Sequence, residues 1–312
     1  MTVLEHKANG GGPVSRTLSE KGWGYIMAAP AFALVGCVAL APIVAAMWLS
    51  LHRRLPVFGV DEFVGVENYL YLLSDERFWA ACRTTLYFTL LSVTVELALG
   101  LGLALVLHGL TRRASSVTRV SQVVAILPWA VPTVVSAQIW LWLYQPDYGL
   151  LNYLLVQAGV IAEPINWLAD PDWAVHAAVV MDVWKTTPFA ALLLLAGLQT
   201  IPPELYAAAR IDGAGWWAQF RLITLPLLLP IIMITGIFRT MDAVRIFDAV
   251  FVLTGGGPGN TTETLSIYAY KTLFQSLQFG YGSALATAMF IIGTLLSLSY
   301  LMVLRLHLRE PV

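Results

Sequence analysis

TTLYFTLLSVTVELALGLGLALVL, residues 84–107, carries one charged side chain, Glu96, and is otherwise apolar, small or hydroxylic. A helix of about 20 such residues spans a hydrocarbon core about 30 Å thick, so this stretch is long enough to cross a bilayer. Working outward, runs of the same kind occupy residues 25–51 before it and 120–143, 173–198, 222–253 and 283–304 after it. The first run exceeds the roughly 7 to 15 apolar residues of a signal-peptide core and is expected to remain a membrane helix. Six spans predict an all-α, polytopic membrane protein with both termini on one side.

The composition agrees. Of 312 residues, 58% are hydrophobic and 12% charged, and the mean hydropathy is +0.72, far too apolar for a water-soluble domain. A net charge of −1 gives no basic balance for nucleic acid. Cys37 and Cys82 have neither zinc nor redox spacing.

Charge asymmetry sets the expected orientation. With the N-terminus inside, the cytoplasmic segments hold Lys7, Arg16, Lys21, Arg112, Arg113, Arg119, Arg210, Arg221, Arg305 and Arg309, and the outer side holds Arg53, Arg54, Arg77, Arg83 and Lys271. The loop of residues 145–172 has Asp147, Glu163, Asp170 and Asp172 without any Lys or Arg. The domain reading is a flexible cytoplasmic tail at 1–24, a membrane domain at 25–304 and a cytoplasmic tail at 305–312.

Between spans four and five, residues 201–226 read IPPELYAAARIDGAGWWAQFRLITLP. Pro202 and Pro203 at the entry, Glu204 in the first turn, Arg210 in the last and Gly213 after it mark a short helix. So short a helix is marginal alone in water and needs a docking surface. The segment resembles the signature of binding-protein-dependent ABC importer permeases: Glu-Ala-Ala, three residues, Gly, nine residues, Ile, one residue, Leu-Pro. Ala208, Ala209, Gly213, Ile223, Leu225 and Pro226 fall in register, and Ala207 stands where the family usually has Glu. Residues 183–202, 224–230, 239–248 and 253–265 are similar to carbohydrate-uptake permeases of the maltose, trehalose and glycerol-phosphate type, most of all to the counterpart of the larger maltose permease.

The resemblance implies a type I ABC importer bundle in the bacterial cytoplasmic membrane. It further implies a second, related permease, two cytoplasmic ATP-binding subunits and an extracytoplasmic sugar-binding protein. Residues 201–226 would be the coupling element toward the ATPase, with Glu204, Ala207, Ala208, Ala209, Asp212, Gly213, Ile223, Leu225 and Pro226 as its residues. No cofactor is expected on this chain itself; ATP and Mg would bind the partner ATPase. Disaccharides such as trehalose or maltose lead as cargo, with glycerol phosphate or a glycoside as alternatives.

Ionisable groups inside spans are costly and face a bundle interior or an aqueous cavity. Asp182 and Lys185 are three residues apart and can pair on one helix face; Arg239, Asp242, Arg245 and Asp248 form an alternating i, i+3 ladder. These six residues, with Trp184 between the span-four charges, are the candidate substrate pathway. Internal salt bridging is the competing use. Trp129, Trp140 and Trp142 read as packing or interfacial anchors, and the lone acid Glu96 as helix packing. Pro128 and Pro132 bend span three.

Gly255, Gly256, Gly257 and Gly259 invite a nucleotide-loop reading, but Asn260 stands where the third spaced glycine belongs. Asn260 with Glu263 instead resembles a capping box opening a helix through Tyr270. None of Lys7, Lys21, Lys185 and Lys271 sits in a Walker loop, so the chain is not expected to hydrolyse ATP. An ion-driven transporter would not need the 201–226 signature, and a membrane enzyme would need a catalytic cluster that the sequence does not offer.

Overall fold

The computed structural model describes residues 20–111 and 116–309. The tail expected at 1–24 lies outside the described residues through residue 19, as do Arg112 and Arg113; residues 20–24 are already helical. The chain divides into two units, to Ala46 and from Met47. The first is helical throughout its described part: α1, Glu20–Val35, a π turn at Gly36–Leu40, and the start of α2, Ala41–Leu49.

The second unit opens with a hairpin, β1 His52–Leu55 and β2 Val60–Phe63, in antiparallel register with His52 opposite Phe63. Gly59 supplies the positive φ of its turn. This small sheet is an exception to the all-α expectation. It also gives partners to two of the arginines expected on the outer side, because Arg53 pairs with Glu67 and Arg54 lies 3.8 Å from Asp61.

Then follow α3, Glu67–Ser74, and the long α4, Glu76–Thr111, which contains the opening stretch. Next come α5, Ser116–Ala130, α6, Thr133–Leu143, α7, Leu150–Gln157, and α8, Pro171–Gln199. The order closes with α9, Pro203–Ile211, α10, Trp216–Gln219, α11, Leu225–Val244, α12, Asp248–Leu253, α13, Leu265–Tyr270, and α14, Phe279–Arg309. The C-terminal tail expected from 305 is therefore helical to Arg309.

Among the described residues, five helices are long and apolar enough to cross a membrane, and a bent pair makes a sixth if taken as one span. That pair is the bend expected in the third span, sharper than a kink: Val123–Ala130 and Thr133–Leu143 meet at 96°. Pro132 is the N-cap of α6 at ψ 140°, an extended conformation that ends one helix and starts another. Span five is also shorter than expected. Its helix stops at Val244, and residues 245–247 separate it from α12.

Helix α8 is the axis of the bundle, buried along most of its length against α4, α5 and α11. Small residues let these backbones close. A Cβ on Gly100 of α4 would stand 2.9 Å from the Ala190 Cβ and 3.2 Å from the Ala191 backbone nitrogen, so no larger residue fits that crossing. Nearer the 201–226 segment, a Cβ on Gly197 of α8 would meet Leu228 and Ile231 of α11 at 2.8 and 2.9 Å.

Candidate functional site

A cavity of about 520 Å³ opens where α8 and α11 face the two helix breaks. Helix α8 contributes Asp182, Lys185, Thr186 and Phe189; α11 contributes Phe238, Arg239, Met241 and Asp242. Trp129 and Thr133 enter from either side of the α5–α6 break, and Arg245, Ile246, Phe247 and Asp248 from the α11–α12 break. The volume lies in the range of small-molecule sites.

The buried charge centre is Arg239, 3% exposed. Its Nε donates to Glu96 Oε2 at 2.6 Å and its Nη2 to Glu96 Oε1 at 2.9 Å, a bidentate pair across α11 and α4. Its Nη1 donates to Asp242 at 2.6 Å, and Nη2 also reaches Asp182 at 3.4 Å. Thr186 adds a hydroxyl donor to Glu96 Oε1 at 2.6 Å. A guanidinium has five N–H donors in a fixed fork, and here the fork joins three helices.

This geometry corrects several sequence readings. Asp182 and Lys185 share a helix face, yet Asp182 is spent on Arg239, and Lys185 Nζ donates to the Trp129 carbonyl at 3.4 Å instead. The ladder is not continuous: Arg239 and Asp242 pair at 2.6 Å, while Arg245 terminates α11 and Asp248 starts α12. Arg245 Nε donates back to the Met241 carbonyl at 3.0 Å. A base on a helix's last carbonyls and an acid in the next helix's first turn are the favourable ends of two helix dipoles, the signal that could have revealed the break.

Glu96 is no mere packing residue but the deepest member of the cluster, at 0% exposure. A charge inside a span without a partner on its own helix requires one on another, and here that partner is Arg239. The tryptophans exchange roles. Trp184 turns away from the cavity and meets Trp140 at 5.7 Å between ring centres, whereas Trp129 lines the cavity, stacked on Phe189 at 5.6 Å and 25°.

In the segment between α12 and α13, Glu263 is 2% exposed and bridges Arg77 of α4, at 2.6 and 2.8 Å, and Lys271 just after α13, at 2.8 Å. The expected capping box is not formed there. Thr264 caps α13 by accepting from the Ile267 N–H, and Glu263 serves the ion cluster. Burial pushes the Glu263 carboxyl up, but the hydrogen bonds from Arg77 and Lys271 outweigh it and hold the group below the usual carboxylate range. Asp75 behaves likewise: burial raises it, and hydrogen bonds from the Tyr268 and Tyr281 hydroxyls and the Arg77 and Phe78 N–H groups bring it below its ordinary value. Tyr268 donates to Asp75 at 2.5 Å, and Arg77 lies over the Tyr268 ring.

Within residues 201–226, Pro203–Ile211 form the short helix read from the sequence, α9, with no buried residue on it. Glu204, Ala207, Ala208, Asp212 and Gly213 are exposed and Ala209 half-buried. Ile211 is 87% exposed, an apolar side chain left uncovered. Gly213 takes φ +79° with nothing within 4 Å of where a Cβ would stand, so backbone conformation, not space, requires glycine there. Ile223 and Leu225 are half-buried at the root of α11, Pro226 is at its first turn, and Tyr206 ties α9 to Thr224 at 3.0 Å.

Comparison with known proteins places this geometry. The trehalose/maltose transport system permease protein MalF of Thermococcus litoralis is 43% identical over 280 residues, covering 90% of this chain and 92% of that one. The sulfoquinovosyl glycerol transport system permease protein SmoG of Agrobacterium fabrum is 38% identical over 281 residues, 90% of this chain and 89% of the relative. The fold is that of a chain in the crystal structure of a bacterial alginate ABC transporter in complex with alginate pentasaccharide-bound periplasmic protein. The TM-score is 0.79 at 21% identity, over 93% of this chain and 96% of that one. Residues 97–307 match the model of the binding-protein-dependent transport system inner membrane components. The chain is a multi-pass membrane protein that belongs to that family of ABC transporter permeases.

Proposed function

We propose that this chain is the membrane-spanning subunit of an ATP-driven importer for a sugar, with disaccharides such as trehalose or maltose the leading cargo. The observation that carries the reading is the pairing of an open, charged and aromatic cavity on α8 and α11 with an uncovered short helix, α9, that joins these same two helices. The name of the 43% identical relative supports the disaccharide. A glycoside is the second reading, favoured by the relative whose name carries sulfoquinovosyl glycerol.

The proposed complex contains a second, related permease, two cytoplasmic ATP-binding subunits that hold ATP and Mg, and an extracytoplasmic sugar-binding protein. Both termini are cytoplasmic and α9 faces the ATPase. Ala208, Ala209, Gly213, Ile223, Leu225 and Pro226 carry the coupling signature, and Glu204, Ala207 and Asp212 complete the exposed contact face. Asp182, Lys185, Arg239, Asp242, Arg245 and Asp248 belong to the substrate pathway as wall and scaffold. ATP-driven closure of the ATPase dimer then swings the bundle between inward-open and outward-open forms.

The test is reconstitution of the four components in vesicles, with a thermal-shift screen of sugars on the binding protein to choose the cargo. Sugar uptake that requires ATP, the binding protein and this chain together is the expected result. Uptake driven by an ion gradient without ATP would sink the proposal.

A further inference from the structure

Within the cavity that the proposed function takes as the sugar path, the charged side chains differ sharply in how far the protein satisfies them. Arg239 spends its fork on Glu96, Asp242 and Asp182. Lys185 does not. It is 8% exposed and lines the cavity, its Nζ makes one hydrogen bond of 3.4 Å to the Trp129 carbonyl, and no described carboxylate comes within ion-pair distance of it. An ammonium carries three donors and is costly to bury unless they are met.

What surrounds it narrows the partner. Trp129, whose carbonyl accepts from Lys185, presents an indole stacked on Phe189 to the same cavity. Thr133, the first residue of α6, also lines it, so the amide end of that helix opens on the same cavity. Donors and partial positive charge are therefore gathered at a flat aromatic surface. The lining charges balance, Lys185, Arg239 and Arg245 against Asp182, Asp242 and Asp248, with Glu96 paired to Arg239 behind them, so no surplus of charge calls for an ionic cargo. A neutral pyranose ring fits both requirements: its C–H face lies on the indole and its hydroxyl and ring oxygens accept from Lys185.

We propose that Lys185, with Trp129 as its platform, is the specificity-determining subsite of the cavity for one neutral glycosyl unit, and that Arg239, Glu96 and Asp182 are scaffold that never touches the sugar. This rests on the sugar-importer reading above. The experiment uses the complete reconstituted transporter and measures uptake of trehalose and of each monodeoxy trehalose by wild type, Lys185→Met and Lys185→Arg. The same binding protein serves all three, so its own preferences cancel when the parent-to-analogue ratio of a variant is divided by that of the wild type.

At one hydroxyl position, preference for the parent sugar is expected to fall by about tenfold in Lys185→Met, the loss of one hydrogen bond to a charged group. Lys185→Arg is expected to retain most of it. Unchanged preferences at every position, in a Lys185→Met complex that co-purifies with its ATPase normally, would overturn the proposal. Failure of both Lys185→Met and Lys185→Gln to co-purify would overturn it too, by placing Lys185 in the scaffold. If Asp242→Asn or Asp248→Asn alters preferences while Lys185→Met does not, the subsite falls and the cavity stands. If none of the three does, the cavity reading falls. Absence of trehalose uptake by the wild type itself overturns the disaccharide reading and this proposal with it.

Discussion

Arg239→Met is expected to destabilise the bundle more than removal of the Arg239–Glu96 pair as a whole. Glu96 and Arg239 side chains are 0% and 4% exposed, and two hydrogen bonds of 2.6 and 2.9 Å join them. Without the guanidinium, Glu96 keeps the Thr186 hydroxyl at 2.6 Å and Asp182 loses its cation. Stranding one member of a buried pair costs about 3–5 kcal/mol, whereas exchanging both for neutral groups of similar volume is often close to neutral. Arg239→Met combined with Glu96→Gln should therefore recover about 2 kcal/mol or more of the loss. The other arm behaves differently. Asp242 is 68% exposed at its side chain, so its pair with Arg239 belongs with exposed ion pairs, about 0–1 kcal/mol, although it is equally short at 2.6 Å. The assay is a pair of double-mutant cycles on denaturant unfolding of the purified chain in one detergent, with membrane abundance as a check. A 96–239 coupling larger than the 239–242 coupling is expected; equal couplings, or the reverse order, would refute the assignment of Glu96 as the buried partner.

Further outcomes follow from other sites. Gly100→Val should lower stability by about 1–3 kcal/mol, because the Ala191 backbone cannot yield, while Gly102→Ala, with nothing within 4 Å, should be silent in the same unfolding assay. Glu263 and Asp75 have folded-state affinities for protons below those of ordinary carboxyls, so the stability they contribute is full at neutral pH and lost as pH falls through the acid carboxylate range. The drop in thermal midpoint from pH 7 to about pH 4 should accordingly be smaller in Glu263→Gln than in wild type. Gly213→Val should insert normally but lose uptake with the ATPase still bound, since it strains a φ of +79° outside every span, and Ala208→Asp should weaken co-purification of the ATPase; wild-type uptake in both would sink the coupling assignment.

The bundle was legible because lipid imposes a length on apolar runs, and five of the six reappear among the described residues as helices long enough to span, one of them cut short at Val244. Pro128 and Pro132 announced the third-span bend but not its size, since a proline in a helix leaves open whether the chain kinks or turns a corner. Pro128 remains inside α5, and Pro132 makes the corner. The α11–α12 break has neither proline nor glycine to mark it, and an i, i+3 ladder of charges imitated a continuous helix across it. The pathway residues were found by the cost of intramembrane charge, which selects residues but not partners. Asp182 and Lys185 are adjacent on α8, yet Asp182 turns to Arg239 and Lys185 to Trp129, because interhelical geometry outranks sequence proximity. Glu96 was misjudged for the same reason: its partner lies 143 residues away.

The positions of the cavity and of α9 along the same two helices bear on how the proposed importer would move. Lys185 precedes the end of α8 at Gln199, and Arg239 follows the start of α11 at Leu225, by the same number of positions, about 21 Å of helix in each case. Both helices thus carry the proposed coupling segment at one end and a cavity wall at matching depth. They are also joined at both levels, by the Gly197 crossing with Leu228 and Ile231 and by the Arg239 contacts to Asp182 and, through α4, to Glu96. On that proposal, displacement of α9 is expected to move Lys185 and Arg239 together, as one wall. The facing wall is attached differently, since Trp129 and Thr133 flank the 96° corner and Phe247 and Asp248 lie at the α11–α12 break. Opening is expected between the Lys185 and Arg239 wall and these hinged ones, and the 3.4 Å bond from Lys185 to the Trp129 carbonyl crosses that division. A bond so long is cheap to release, which lets the residue proposed to hold the sugar change partners as the wall moves.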